Sequence, residues 1–162
     1  MSGPNSSKIQ FTKASPKDVE LLTESRIEFL EEYWGQQEED LRKSLRITLM
    51  DYFTRTLSDG TYVCYLAKNE KGWIGIGGMV LRQQPGGFKI PNGKIAYIMN
   101  MYTRPEYRKQ GVAKHILQLL MNEAKTLSCE ALELHATKEG EPVYQKAGFY
   151  LHPEPTYRKI LL

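Results

Sequence analysis

The sequence predicts an α/β fold of the α+β kind, a central mixed β-sheet flanked by helices. Three observations predict it. Two amphipathic helical patterns come early in the chain. Two β-rich segments joined by a tight turn follow as an antiparallel hairpin. A strand–helix–strand crossover comes next.

Each element has its own signal. Ile9, Phe11 and Thr12 read as a short first strand. Ser15-Pro16-Lys17-Asp18 then announces a helix, with Ser as N-cap, Pro at N1 and an acid in the first turn. Val19, Leu22, Arg26, Phe29, Leu30 and Tyr33 recur at helical spacing, and Gly35 breaks the run. Leu41, Leu45, Leu49, Tyr52, Phe53 and Leu57 repeat the pattern in a second helix, which ends at the Asp59-Gly60 turn. Thr61 to Ala67 is rich in β-branched and aromatic residues, and Trp73 to Leu81 is its hairpin partner. Within the latter, Gly75, Gly77 and Gly78 mark a bulge or a close approach. Ile95 to Thr103 is apolar enough to be a buried strand. Gln110 to Leu127 is a long amphipathic helix, and Ala131 to Ala136 a further strand. Val143 to Ala147 is a short helix stopped by Gly148, before closing strands at Phe149 to Leu151 and Tyr157 to Leu161.

Composition narrows the function classes. The chain has 162 residues, 41% hydrophobic and 25% charged, which suits one globular domain rather than a disordered or fibrous chain. Residues 1–7 are small and polar and read as a disordered segment without a secretion signal, leaving 8–162 as a single domain. No apolar stretch approaches the ~20 residues of a membrane span. The net charge of +3, without a run of like charges, argues against nucleic acid but is compatible with an anionic small molecule. Cys64 and Cys129 are too few and too far apart for a disulfide framework or a zinc site, so they read as free thiols in a reducing, cytoplasmic compartment. No metal site is expected.

The chemistry concentrates between Tyr97 and Ala113. A buried strand ends at Thr103, and Arg108-Lys109-Gln110-Gly111-Val112-Ala113 opens the long helix. A helix N-terminus offers unpaired N–H groups and partial positive charge, a ready place for a pyrophosphate. Gly111 and Ala113 leave room for close approach, and Arg108, Lys109 and Lys114 add charge. The spacing of a Walker loop is absent.

R-K-Q-G-V-A fits the [RQ]-x-x-G-x-[GA] signature, and the chain resembles the GNAT superfamily of N-acetyltransferases. Tyr144 followed by Gly148-Phe149 resembles a second family feature, and the resemblance spans roughly residues 8 to 162. It implies a GNAT-like acyl-CoA N-acyltransferase fold and an acetyl-CoA-dependent N-acetyltransferase. The acceptor would be a primary amine of a small molecule or peptide, attacking directly in a ternary complex. Met101, Tyr102 and Thr103 would pair with the pantetheine arm. The backbone from Lys109 through Gln110, Gly111, Val112 and Ala113 to Lys114 would cradle the pyrophosphate, with Arg108 beside it. Tyr144 would donate a proton to the departing thiolate. Thr137 stands where many members carry Asn, and retains only a hydroxyl for the cofactor. Homodimers are common on this fold.

The general base stays open among Glu133, His135, the first-helix acids Glu28, Glu31 and Glu32, and water. Glu133 and His135 share one strand face. Acids on the first two helices, Glu38, Glu39 and Asp40 included, suit either a cationic amine or a solvated surface. The Gln83 to Gly93 loop and those helices are expected to set specificity. The alternative to an enzyme is a non-catalytic acyl-CoA-binding sensor, against which the presence of Tyr144 argues.

Overall fold

A computed structural model describes residues 8–161; the predicted disordered segment 1–7 and Leu162 lie outside the described residues. The elements are β1 (Gln10–Lys13), α1 (Val19–Trp34), α2 (Glu39–Asp59), β2 (Tyr62–Asn69), β3 (Gly72–Gln83), β4 (Lys94–Thr103), α3 (Val112–Thr126), β5 (Ala131–Glu133) and α4 (Glu141–Lys146). The sheet runs β1-β2-β3-β4-β5. Its pairs are antiparallel up to β4, while β4 and β5 are parallel.

Local chemistry starts and stops the helices where the sequence predicts. The Ser15 N–H and hydroxyl donate to the Asp18 carboxylate at 2.9 and 3.2 Å, closing a 3-10 turn at Pro16–Asp18 that feeds α1. Gly35, with φ +84°, ends α1, and Gly60 in the left-handed region ends α2.

The helices cover the sheet on both faces. Val112, Ile116, Leu117, Leu120 and Ala124 of α3 pack on Val63, Ala67, Ile74, Met79, Ala96 and Ile98. On the opposite face, Leu22 of α1 and Phe53 of α2 pack on Tyr62, Cys64, Leu66, Ile76 and Tyr102. The glycines of β3 are small because of these neighbours. A Cβ on Gly77 would overlap Met101 Sδ and lie 2.5 Å from Ile116 Cγ2, and one on Gly78 would fall on the Tyr62 hydroxyl. The bulge is on the partner strand. Ile76 faces Tyr102 while Gly78 faces Met99, so β4 carries one extra residue there, and Asn100 takes φ +57°.

Two expectations are corrected. β5 ends at Glu133, and residues 134–136 leave the sheet. The closing strands at 149–151 and 157–161 do not form, and Leu151 and Tyr157 are 93% and 89% exposed. Strand propensity measures fit against a neighbouring strand, and this segment lies against none; Pro153 and Pro155 also remove ladder donors.

Candidate active site

The site opens where the two parallel strands part. β4 and β5 pair only at Ile95–Ala131, Ala96–Leu132 and Tyr97–Glu133. Beyond Tyr97 the β5-facing edge of β4 has no strand partner among the described residues. Met101, Tyr102 and Thr103 lie on this free edge, just past the bulge. Unpaired strand backbone is a template for another extended chain.

The start of α3 lies at the end of the short connection that follows. Lys109 and Gly111 adopt φ +61° and +81°, which turns the chain sharply into the helix. The first helical bond runs from His115 N–H to the Gly111 carbonyl at 3.0 Å, so the N–H groups of Val112, Ala113 and Lys114 have no carbonyl within the helix. A Cβ on Gly111 would meet nothing within 4 Å, so the space at this helix mouth is open. Lys109, Gln110 and Lys114 are exposed around it. Arg108 turns away: its Nε donates to the Thr103 carbonyl at 2.9 Å and its Nη2 to Glu32 at 2.6 Å.

Tyr144 lies on α4, half-buried, its ring edge-on to Phe149 at 5.9 Å between centroids. Its hydroxyl has no hydrogen-bond partner among the described residues, and burial raises its pKa, keeping the phenol neutral. Thr137 is used locally. Its Oγ1 accepts the Gly140 N–H at 3.2 Å and its carbonyl accepts the Glu141 N–H at 3.0 Å, which caps α4.

The acids of α1 are largely neutralised. Glu28 pairs with Arg104 at 3.2 Å, Glu31 with Arg42 at 3.0 Å and Glu24 with Arg46 at 2.8 Å. Glu32 also accepts from the Tyr102 hydroxyl at 2.5 Å. Burial pulls the Glu32 carboxyl up, but the hydrogen bonds from Tyr102 and Arg108 outweigh it and hold its pKa below the ordinary carboxylate range. Glu133 and His135 are exposed, and His135 Nδ1 lies 2.5 Å from the Tyr97 hydroxyl. The other histidines are elsewhere: His115 stacks on Phe11 at 4.0 Å and His152 contacts Glu154. The Gln83–Gly93 loop is pinned by Asn92 to Ser128 and Glu130, at the end of β4 opposite Thr103.

Cys64 is fully buried and its thiol is pushed up to about 12, so it is not a nucleophile. Three residues not singled out by sequence reasoning as site residues meet at the bulge. Arg26 Nη1 donates to Asn100 Oδ1 at 2.6 Å, and Asn100 Nδ2 donates to the Tyr62 hydroxyl at 2.9 Å. The available signal was a cation on an otherwise apolar face of the first helical pattern.

The profile of the Acetyltransferase (GNAT) family matches residues 20–149. Among solved structures, the chain is similar to a predicted acetyltransferase from Clostridium acetobutylicum determined with acetyl-CoA. The two share 30% identity over 94% of this chain and 96% of that one, with a TM-score of 0.84. An aminoglycoside N-acetyltransferase in complex with CoA is 15% identical over 98% and 99% of the two chains, with a TM-score of 0.72. Glucosamine-6-phosphate N-acetyltransferase from Arabidopsis thaliana is 15% identical over 94% and 98%, with a TM-score of 0.69. These last two likenesses are of fold alone. Comparison with curated proteins finds no match. With the parted strands, the open helix mouth and the family profile all falling in one stretch of sequence, the chain belongs to the GNAT family of acetyltransferases.

Proposed function

We propose that the protein is an acetyl-CoA-dependent N-acetyltransferase that acts on a primary amine by direct attack within a ternary complex. The observation that carries this reading is the parting of β4 from β5 next to the unpaired N–H groups of α3.

The residues present fit acetyl-CoA. The free edge at Met101 to Thr103 offers extended backbone to the amide-bearing pantetheine arm. The N–H groups from Lys109 to Lys114, with the open space at Gly111, suit a pyrophosphate, and Lys109 and Lys114 supply charge. Acetyl-CoA, when bound, supplies an acetyl group activated as a thioester.

This chain's residues then do the following. A backbone N–H next to Tyr102 on the free edge of β4 donates to the carbonyl oxygen as negative charge builds on it. Tyr144 gives its proton to the sulfur as the carbon–sulfur bond breaks. The amine's proton goes to a base on the cleft face. Since Glu28, Glu31 and Glu32 are tied to arginines, Glu133 and His135 are the better placed groups. In the His135 tautomer whose Nδ1–H donates to the Tyr97 hydroxyl, Nε2 keeps a lone pair for this task.

The fold alone leaves the acceptor open, since one neighbour is named for aminoglycosides and another for a phosphorylated amino sugar. The reaction fits the cytoplasm, where acetyl-CoA and reduced thiols occur together. A free-thiol assay with acetyl-CoA and a panel of amines tests it. Thiol release that depends on an added amine is expected. Tight CoA binding without turnover by any amine would replace the enzyme by an acyl-CoA sensor.

A further inference from the structure

Arg26 is the unusual group of the cleft. It is half-buried on the inner face of α1, and its one hydrogen bond goes to the neutral Asn100 side chain. The titratable groups facing it from α2, β2 and β4 are the phenols of Tyr52, Tyr62 and Tyr97. No carboxylate lies within 4 Å of it among the described residues, although Arg42, Arg104 and Arg108 each have one and Arg46 has two. Taking a cation out of water without a counter-charge is costly, and burial accordingly disfavours the charged form of Arg26.

A second arginine, with no ion pair among the described residues, adds to the same face. Arg82 lies 4.0 Å from the Tyr97 ring centroid, and its charge is felt at Tyr52 together with those of Arg26 and Arg55. The acid that Tyr52 feels is Asp59, which is itself bound to Thr61 at the end of α2. The face between α1, α2 and the bulge of β4 therefore sets Arg26 and Arg82 among aromatic rings. Of the acids expected to attract a cationic amine, Glu28, Glu31 and Glu32 on α1 are instead held by Arg104, Arg42 and Arg108.

We propose that Arg26, assisted by Arg82, binds an oxyanion carried by the acceptor, so that the acceptor is an amine bearing its own carboxylate or phosphate. This rests on the N-acetyltransferase reading and gives it a substrate class. Asn100 aims the guanidinium by accepting from Nη1, which leaves its remaining donors for the anion's oxygens. Because Asn100 directly precedes Met101, the anion is held beside the edge proposed to carry the thioester. The amine of a compact acidic substrate is thereby confined to the reacting end of the cleft.

Two measurements test this. The first is acetyl transfer by wild type, Arg26→Gln, Arg26→Lys and Arg82→Gln. One arm uses amino acids against their amides, and another phosphorylated amines against the unphosphorylated ones; the better arm identifies the oxyanion. Acidic acceptors are expected to lead their uncharged partners by about 10-fold or more in kcat/KM, and Arg26→Gln to erase that lead by raising KM about 10- to 100-fold. Arg26→Lys should recover part of the lead, and KM for acetyl-CoA should not change. Preference for uncharged or cationic amines, or an unchanged lead in Arg26→Gln, overturns the proposal. The second is calorimetric titration of inorganic phosphate and of acetate into the enzyme saturated with CoA, with folding of each variant checked by near-UV circular dichroism. Binding to wild type that is lost in Arg26→Gln supports the anion site even if no amine turns over, in which case the acetyltransferase reading alone fails. Equal binding by both proteins, or none by wild type, overturns the site whatever the activity.

Discussion

The Arg108 guanidinium donates to Glu32 at 2.6 Å, fastening the connection after β4 to α1 across the top of the sheet. The other oxygen of the same carboxylate accepts the Tyr102 hydroxyl, so one ionised acid joins three segments. Because the folded state holds the Glu32 pKa below its ordinary value of 4.5, the stabilisation is complete above that value and is lost as pH falls through the lower, folded one. Glu32→Gln should therefore cost about 1 kcal/mol or less near neutrality, where the pair is partly exposed, and less at about pH 3. Urea midpoints of both proteins at the two pH values check this.

Tyr144→Phe should lower kcat about 100-fold while leaving KM for acetyl-CoA within a small factor. The melting temperature should stay within a degree or two of wild type, because the lost hydroxyl has no hydrogen-bond partner among the described residues. The raised phenol pKa predicts that the acid role survives above neutrality. Equal rates for the two proteins at every pH would remove Tyr144 from the chemistry.

Gly111→Val puts a branched side chain into the open mouth of α3 at φ +81°. Strain at a left-handed position is about 1–2 kcal/mol, a moderate loss of stability. KM for acetyl-CoA should rise by about tenfold or more, equivalent to about 1.4 kcal/mol of binding. Isothermal titration with CoA separates the two effects.

Gly78→Ala drives a methyl group onto the Tyr62 hydroxyl in a filled layer. Overpacking of this kind costs about 1–3 kcal/mol. Since Tyr62 accepts from Asn100, acceptor KM should rise more than acetyl-CoA KM. Denaturant unfolding and initial rates measure both.

A maleimide should label one thiol of the native protein, Cys129, which is half-buried. Cys64 is fully buried with its thiol pushed up to about 12 and should react only after unfolding. Mass spectrometry of digests taken before and after denaturation distinguishes the two sites.

The family and the element order up to α4 were legible because they rest on short-range signals. Ser15-Pro16-Lys17-Asp18, the Gly35 and Gly60 stops, and R-K-Q-G-V-A each act within a few residues, and local spacing records them. The mouth of α3 was likewise readable, since a helix start creates unpaired N–H groups wherever it occurs.

What lies between elements was decided by packing. The closing segment has strand-like composition, but a strand needs an edge to pair with, and composition does not say whether one is in reach. Arg108 reads as a phosphate ligand by its place in the signature, yet its side chain is long enough to choose Glu32, 76 residues away in sequence. The acids of α1 and the arginines around them appear in the sequence as a nearly even mixture. Electrostatic attraction falls off with distance, so only the tertiary structure determines which charges cancel and that Arg26 is left without a counter-charge among the described residues.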